Sequence, residues 1–148
     1  MDITETNTIF RHRLSVQTRF NDYDILGHLN NTVYLELADL GKTDYFTTAA
    51  PKLWNAGNVG MVVANVNADF HAPALPGEPL DVLTAVESIG NKSFILSQRI
   101  VCPAKNDQLK CSVRTIMVHI DVRSMHPAPV PECWISTLED YESRRLRD

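Results

Sequence analysis

Only one stretch of this chain carries a helical period of any length, and the apolar runs after it are strand-like and joined by turns too short to cross over a sheet. From Asn30 to Phe46, Val33, Leu37 and Leu40 recur as one stripe, with Tyr34, Leu35, Ala38 and Tyr45 beside it. That apolar surface is wide for a helix lying on a protein surface, so the helix is expected to be enclosed. Gly41 within it weakens the helix by roughly 1 kcal/mol relative to alanine, and close packing against a backbone is the expected reason for it.

Before the helix, His12 to Phe20 alternates, with Leu14, Val16, Thr18 and Phe20 on one face, as a half-buried strand does. After it, Val59 to Phe70 is apolar and β-branched, and Ala72-Pro73 closes it. Pro76-Gly77-Glu78-Pro79 is a turn, because two prolines and a glycine prevent regular pairing. Leu80 to Ile89 and Ser93 to Val101 alternate around a turn at Gly90-Asn91, and Cys111 to Val122 forms a last long strand. Pro127, Pro129 and Pro131 end the sheet, and Ser136 to Arg147 reads as a short charged helix. Short connections favour antiparallel neighbours, since parallel strands need long crossovers. The expectation is an α+β fold over residues 1–148 as a single domain, with an antiparallel sheet of five to six strands curled round one long helix.

Composition narrows the function. Apolar residues are 44% and charged residues 22% of 148, an ordinary globular balance. A formal charge of −4 argues against a nucleic-acid partner, which needs a basic face. No apolar run is long enough to span a bilayer, and the Met1–Glu5 start lacks the features of a secretory signal, so a cytoplasmic location is expected. Cys102, Cys111 and Cys133 are an odd number at wide spacing, which suits reduced thiols better than a disulfide framework or zinc cluster. The five histidines, His12, His28, His71, His119 and His126, match no ligand spacing, so no metal is expected. Serine-elbow, P-loop and dinucleotide motifs are absent from the sequence.

The most informative stretch runs Arg19-Phe20-Asn21-Asp22-Tyr23-Asp24-Ile25-Leu26-Gly27-His28-Leu29-Asn30-Asn31. It leaves a strand, passes two aspartates and enters the helix. The first turn of a helix offers unpaired N–H groups and a partial positive charge. A loop that delivers a carboxylate there sets a base or nucleophile beside donors for an oxyanion, the pairing that acyl transfer requires. An aspartate before a helix is more often a cap or turn former. Asp22 keeps that plain role, ending the strand and bracing the turn. Gly27 lets the backbone approach a substrate closely.

The pattern Asp-x-Asp-x-x-Gly-His-Leu-Asn-Asn, continued by Tyr34-Leu35, resembles the 4-hydroxybenzoyl-CoA thioesterase-like family of hotdog-fold acyl-CoA thioesterases. The resemblance resumes at Val62 to Pro73, Gly77-Glu78-Pro79-Leu80, Ile89 to Phe94 and Val118-His119-Ile120-Asp121. It implies a curved antiparallel sheet round one central helix and hydrolysis of an acyl-CoA thioester to a carboxylate and free CoA. Asp24 would be the catalytic carboxylate, and the backbone N–H of Asn31 would polarise the thioester carbonyl. Gly27 and His28 would lie beside the substrate, and Gly90, Lys92 and Ser93 would meet the nucleotide end of coenzyme A, commonly from a partner subunit. No cofactor is implied, because coenzyme A is part of the substrate. A homodimer or dimer of dimers with sites at the subunit interface is implied, without nucleic acid or membrane as partner. Two departures stand out: Asp39-Leu40-Gly41-Lys42 where relatives commonly read Glu-x-Ala-Arg, and His71 where an apolar residue is usual.

Competing assignments remain at this stage. Glu36 or Asp39 would serve if the carboxylate came from the helix, as in another hotdog branch, though both read more simply as seam or solvent groups. A structural hydrogen bond from the His28 ring to the loop is expected ahead of any chemistry. Phe46, Trp54, Phe70 and Phe94 read as core, some of them lining an acyl pocket, and Trp134 as a docking residue for the tail. Rival functions are a thioesterase for acyl carrier protein, a non-catalytic acyl-CoA binding protein and a hotdog dehydratase. The last needs a different Asp/His constellation.

Overall fold

A computed structural model describes residues 8–54 and 60–147. Five strands, β1 (His12–Val16), β2 (Met61–Phe70), β3 (Leu80–Ile89), β4 (Ser93–Cys102) and β5 (Gln108–His119), form one sheet in the order β1-β3-β4-β5-β2. Every neighbouring pair is antiparallel. Helix α1 (Asn31–Ala49) packs over β1, β3 and β4, a one-turn α2 (Pro51–Trp54) follows it, and α3 (Glu132–Glu142) closes the chain. The α+β architecture is therefore the expected one, at five strands.

The buried side of α1 follows the 3.6-residue period through Val33, Tyr34, Leu37, Ala38, Gly41, Tyr45, Phe46 and Ala49. Leu40, which the sequence placed on the stripe, is instead 55% exposed, because the next position on the buried face is Gly41. Two apolar clusters lie along the helix. One joins Leu29, Val33, Tyr34 and Leu37 to Leu80, Val82, Ile100 and Val113. The other joins Tyr45, Phe46 and Ala49 to Val86, Phe94, Leu96 and the tail residues Trp134, Ile135 and Leu138. Between them, the Gln98 amide donates to Ala38 O (2.8 Å) and Thr84 Oγ1 (3.0 Å).

Gly41 faces a side chain rather than a backbone: a Cβ there would lie 2.5 Å from Val82 Cγ1 and 3.2 Å from Gln98 Nε2. Gly41→Ala gains up to ~1 kcal/mol of helix propensity but forces overpacking of typically 1–3 kcal/mol. A net loss of about 1 kcal/mol in urea unfolding is expected; a stabilised variant would mean that Val82 yields easily.

Several boundaries differ from the sequence expectation. β1 stops at Val16, and a 3-10 turn occupies Phe20–Asp22, leaving Phe20 95% exposed. α1 continues to Ala49, ending where Ala50, before Pro51, leaves the helical region at φ −141° and ψ 57°. The first residue of the expected Val59 strand lies outside the described residues. β5 begins three residues early at Gln108 and ends at His119. α3 starts four residues earlier than expected, directly after Pro131, and stops at Ser143, which is left-handed at φ 54°. Trp134 docks the tail into the core as expected.

β2 is a ten-residue edge strand with one neighbour, β5. Helix α1 does not cover it, so Val62, Val63, Val66 and Phe70 are 42–49% exposed. Phe70 is thus not the core residue expected, although its ring meets Tyr34 edge-on at 5.3 Å. Trp54 is half-buried and stacks on Phe46 at 5.0 Å.

Candidate active site

The loop between β1 and α1 folds into a closed hairpin. Tyr23 and Leu29 bridge antiparallel, Asp24 N donates to His28 O (2.9 Å), and Gly27 N donates to Asp24 O (3.0 Å). Gly27 sits at φ +79°, a left-handed conformation that glycine adopts without penalty. Asp24 Oδ1 accepts from Leu26 N (2.9 Å) and His28 N (3.3 Å), so half of the carboxylate shapes the turn. Its other oxygen makes no hydrogen bond among the described residues, and the side chain is exposed in the single chain. Ile25 and Leu26 at the tip are 100% and 75% exposed.

The hairpin is anchored at its base. Asp22 is buried, accepts from Arg19 N (2.7 Å) and pairs with the Arg19 guanidinium, whose hydrogen bond holds the Asp22 carboxyl below the usual carboxylate range. Asn30 N donates to Asp22 O (2.8 Å), and Leu29 N donates to Ala74 O (2.9 Å). The segment that supplies Ala74 is held by a buried cation: Lys110 Nζ donates to Pro73 O (3.0 Å), to Gln108 Oε1 (2.8 Å) and to Glu78 (3.1 Å). Ala74 N donates to the Tyr34 hydroxyl (3.1 Å), which ties the same segment to α1.

At the start of α1, Asn30 caps the helix. Its Oδ1 accepts from Thr32 N (3.2 Å), and its carbonyl accepts from Val33 N (2.9 Å). The N–H of Asn31, the first helical residue, has no acceptor among the described residues. The fold therefore brings an accessible carboxylate and an unpaired helix-opening amide to the same end of α1.

Other residues singled out by sequence lie elsewhere. Gly90, Lys92 and Ser93 form the β3–β4 turn, where Gly90 N donates to Ser93 O (2.8 Å). The Asp24 hairpin abuts the segment leading into β3, whereas this turn lies at its far end, ten residues on. At ~3.3 Å per residue the separation is roughly 30 Å. One chain alone does not assemble the two groups. His28 acts through its backbone; its ring makes no hydrogen bond among the described residues, contrary to the expected ring contact. Glu36 and Asp39 are both exposed, and Asp39 pairs with Lys42 (3.0 Å). His71 is exposed and bonds Ser112 Oγ (2.9 Å). Burial pushes the Cys111 thiol up to about 12, so it is no nucleophile at neutral pH. Among the described residues no group of three His, Cys, Asp or Glu side chains is placed to hold a metal, and no helix is long and apolar enough to cross a membrane.

A feature invisible in the sequence is the slot of about 270 Å³ between α1 and the uncovered side of the sheet. Leu35, Asp39 and Lys42 line it from the helix, Val63 and Val66 from β2, and Thr115 and Gln98 from its floor. Only knowledge of which strands α1 leaves bare would have revealed it.

This arrangement agrees with known proteins. The chain is 27% identical over 110 residues to the long-chain acyl-CoA thioesterase FadM of Escherichia coli K12, covering 74% of this chain and 83% of that protein. A thioesterase of Thermus thermophilus, solved with coenzyme A and zinc, superposes with a TM-score of 0.80 at 28% identity, over 93% of this chain and 98% of that one. The probable thioesterase YbaW of E. coli gives 0.78 at 25% identity, over 87% and 97%. Shared across these neighbours is the hotdog fold, a curved sheet round one helix. The family model for the thioesterase-like superfamily matches residues 18–137, from just before the hairpin into α3, and the chain belongs to that superfamily.

Proposed function

We propose that the chain hydrolyses acyl-CoA thioesters, with Asp24 as the reacting carboxylate and the Asn31 N–H as a donor to the thioester oxygen. Asp24 either attacks the carbonyl carbon, expelling CoA thiolate and leaving an acyl anhydride for water to cleave, or removes a proton from the water that attacks. Both routes place negative charge on the carbonyl oxygen, where a preorganised donor is worth a few kcal/mol. The observation that carries this reading is the unpaired Asn31 amide next to the hairpin that presents Asp24.

The same reading requires a second copy. The β2 edge is long and apolar, and such edges are normally paired or covered. Its Phe70 end lies beside Cys111 and the anchoring segment, and its Met61 end beside His119, whose N donates to Lys92 O. Antiparallel pairing of two β2 edges sets the Met61 end of one against the Phe70 end of the other. The 90–93 turn of the second copy then arrives at the Asp24 end, where Lys92 would meet phosphate. Particle sizing is expected to give a dimer or a dimer of dimers; a monomer that hydrolyses at full rate overturns the shared site.

A thiol-release screen over short, long and aromatic acyl-CoAs tests the activity. Turnover is expected with at least one class. Turnover confined to substrates on acyl carrier protein would redirect the assignment to that carrier, and tight acyl-CoA binding without thiol release would make the chain a binding protein.

A further inference from the structure

The slot beside α1 is not uniformly apolar, and its polar groups sit at a defined depth. At ~1.5 Å rise per residue, Leu35 and Lys42 lie roughly 6 and 16 Å along the axis from the Asn31 amide. An acyl tail that starts at that amide and runs down the slot passes Leu35 before reaching Lys42. The Lys42 side chain is only 17% exposed, with its stem along the wall. Its ammonium pairs with Asp39, whose side chain is 74% exposed, and such solvated pairs hold weakly. Thr115 is 5% exposed at the floor, and its hydroxyl makes no hydrogen bond among the described residues. Gln98, 2% exposed, has both amide hydrogens engaged by Ala38 and Thr84 and is fixed in place. A purely hydrocarbon tail would leave the Thr115 hydroxyl without a partner and lay the Lys42–Asp39 pair against hydrocarbon, which is unfavourable.

We infer that Lys42, with Thr115, selects medium-length acyl groups that carry an oxygen at or near the distal end, a carboxylate or a hydroxyl. This rests on the hydrolytic reading above and names the substrate class of that site. Suberoyl-, ω-hydroxyoctanoyl- and octanoyl-CoA differ only at the tail and separate the two oxygen chemistries. The wild type is expected to favour at least one oxygenated tail in kcat/KM by about tenfold, the size of one charge-assisted hydrogen bond. In Lys42→Met, which keeps the stem, that ratio is expected to fall to near one. A ratio that survives the substitution, or a wild type that prefers octanoyl-CoA, overturns the inference. Calorimetric binding of the same three esters to Asp24→Asn distinguishes the two failures. A Lys42-dependent binding preference without hydrolysis in the wild type sinks only the catalytic reading. Hydrolysis without any tail preference sinks only the assignment of Lys42.

Discussion

Asp24→Asn is expected to leave the fold and particle size unchanged and to lower kcat/KM for a cleaved acyl-CoA by about 10²- to 10⁴-fold, the usual contribution of a positioned acid–base group. The substitution is chosen for its geometry. Asparagine retains an oxygen that accepts from Leu26 N and His28 N, so the turn that Asp24 shapes survives. What disappears is the charge and basicity of the free oxygen. Thiol release followed with a chromogenic disulfide, together with circular dichroism and sizing, separates chemistry from folding. Full turnover in this variant would remove Asp24 from the reaction and return it to the role of turn former. Asp24→Ala provides the contrast, because it loses the turn contacts as well and should lower the melting temperature slightly.

The largest expected loss of stability is at Glu78. Its side chain is 10% exposed and faces Lys110, itself 2% exposed, with Lys105 at 2.8 Å on the outer oxygen and the Leu75 amide at 2.6 Å. Burial alone would raise the Glu78 carboxyl, but hydrogen bonds from Lys105, Leu75 N and Lys110 outweigh it and bring the group to about 2, below its ordinary 4.5. Glu78→Gln leaves Lys110 buried among neutral acceptors, a loss of about 3 kcal/mol by analogy with broken buried pairs. Because the folded value is depressed, the stabilisation is fully present above pH ~4.5 and is lost as the pH falls towards ~2. Urea unfolding should therefore show a wide gap between wild type and Glu78→Gln at pH 7 and a much smaller one near pH 2. Identical midpoints at pH 7 would show that Pro73 O and Gln108 are enough for Lys110. The substitution is also expected to lower turnover, since Lys110 and Glu78 hold the segment whose Ala74 carbonyl anchors the hairpin.

Much of this molecule is readable from periodicity. One helix, strands with period two and turns rich in proline and glycine dictate an antiparallel sheet on a helix, and the Asp24 to Asn31 stretch marks the candidate site. The misplacements have physical causes. Leu40 looked buried because Gly41 offers no hydrophobic signal, although its missing Cβ is what lets Val82 and Gln98 approach. Phe70 looked like core because edge strands keep the alternation of central ones, and only the strand order shows that α1 leaves β2 bare. The burial of Lys110 has no local signature, because its partners at Pro73 and Glu78 are more than thirty residues away in sequence. The slot has the same origin, since its walls come from four separate elements. The turn at Gly90, Lys92 and Ser93 is legible as a turn, but its distance from Asp24 follows only from the length and direction of β3.

The way the hairpin is tethered bears on how such a chain tolerates change. Its fastenings run through the main chain at Asp22, Leu29, Asn30 and Ala74, and the side chains of Ile25 and Leu26 at its tip touch almost nothing within the chain. Altering those two positions leaves the scaffold's own bonds intact while remodelling the rim next to the carboxylate. On the proposed reading, libraries restricted to them would retune substrate entry while leaving the main-chain fastenings in place.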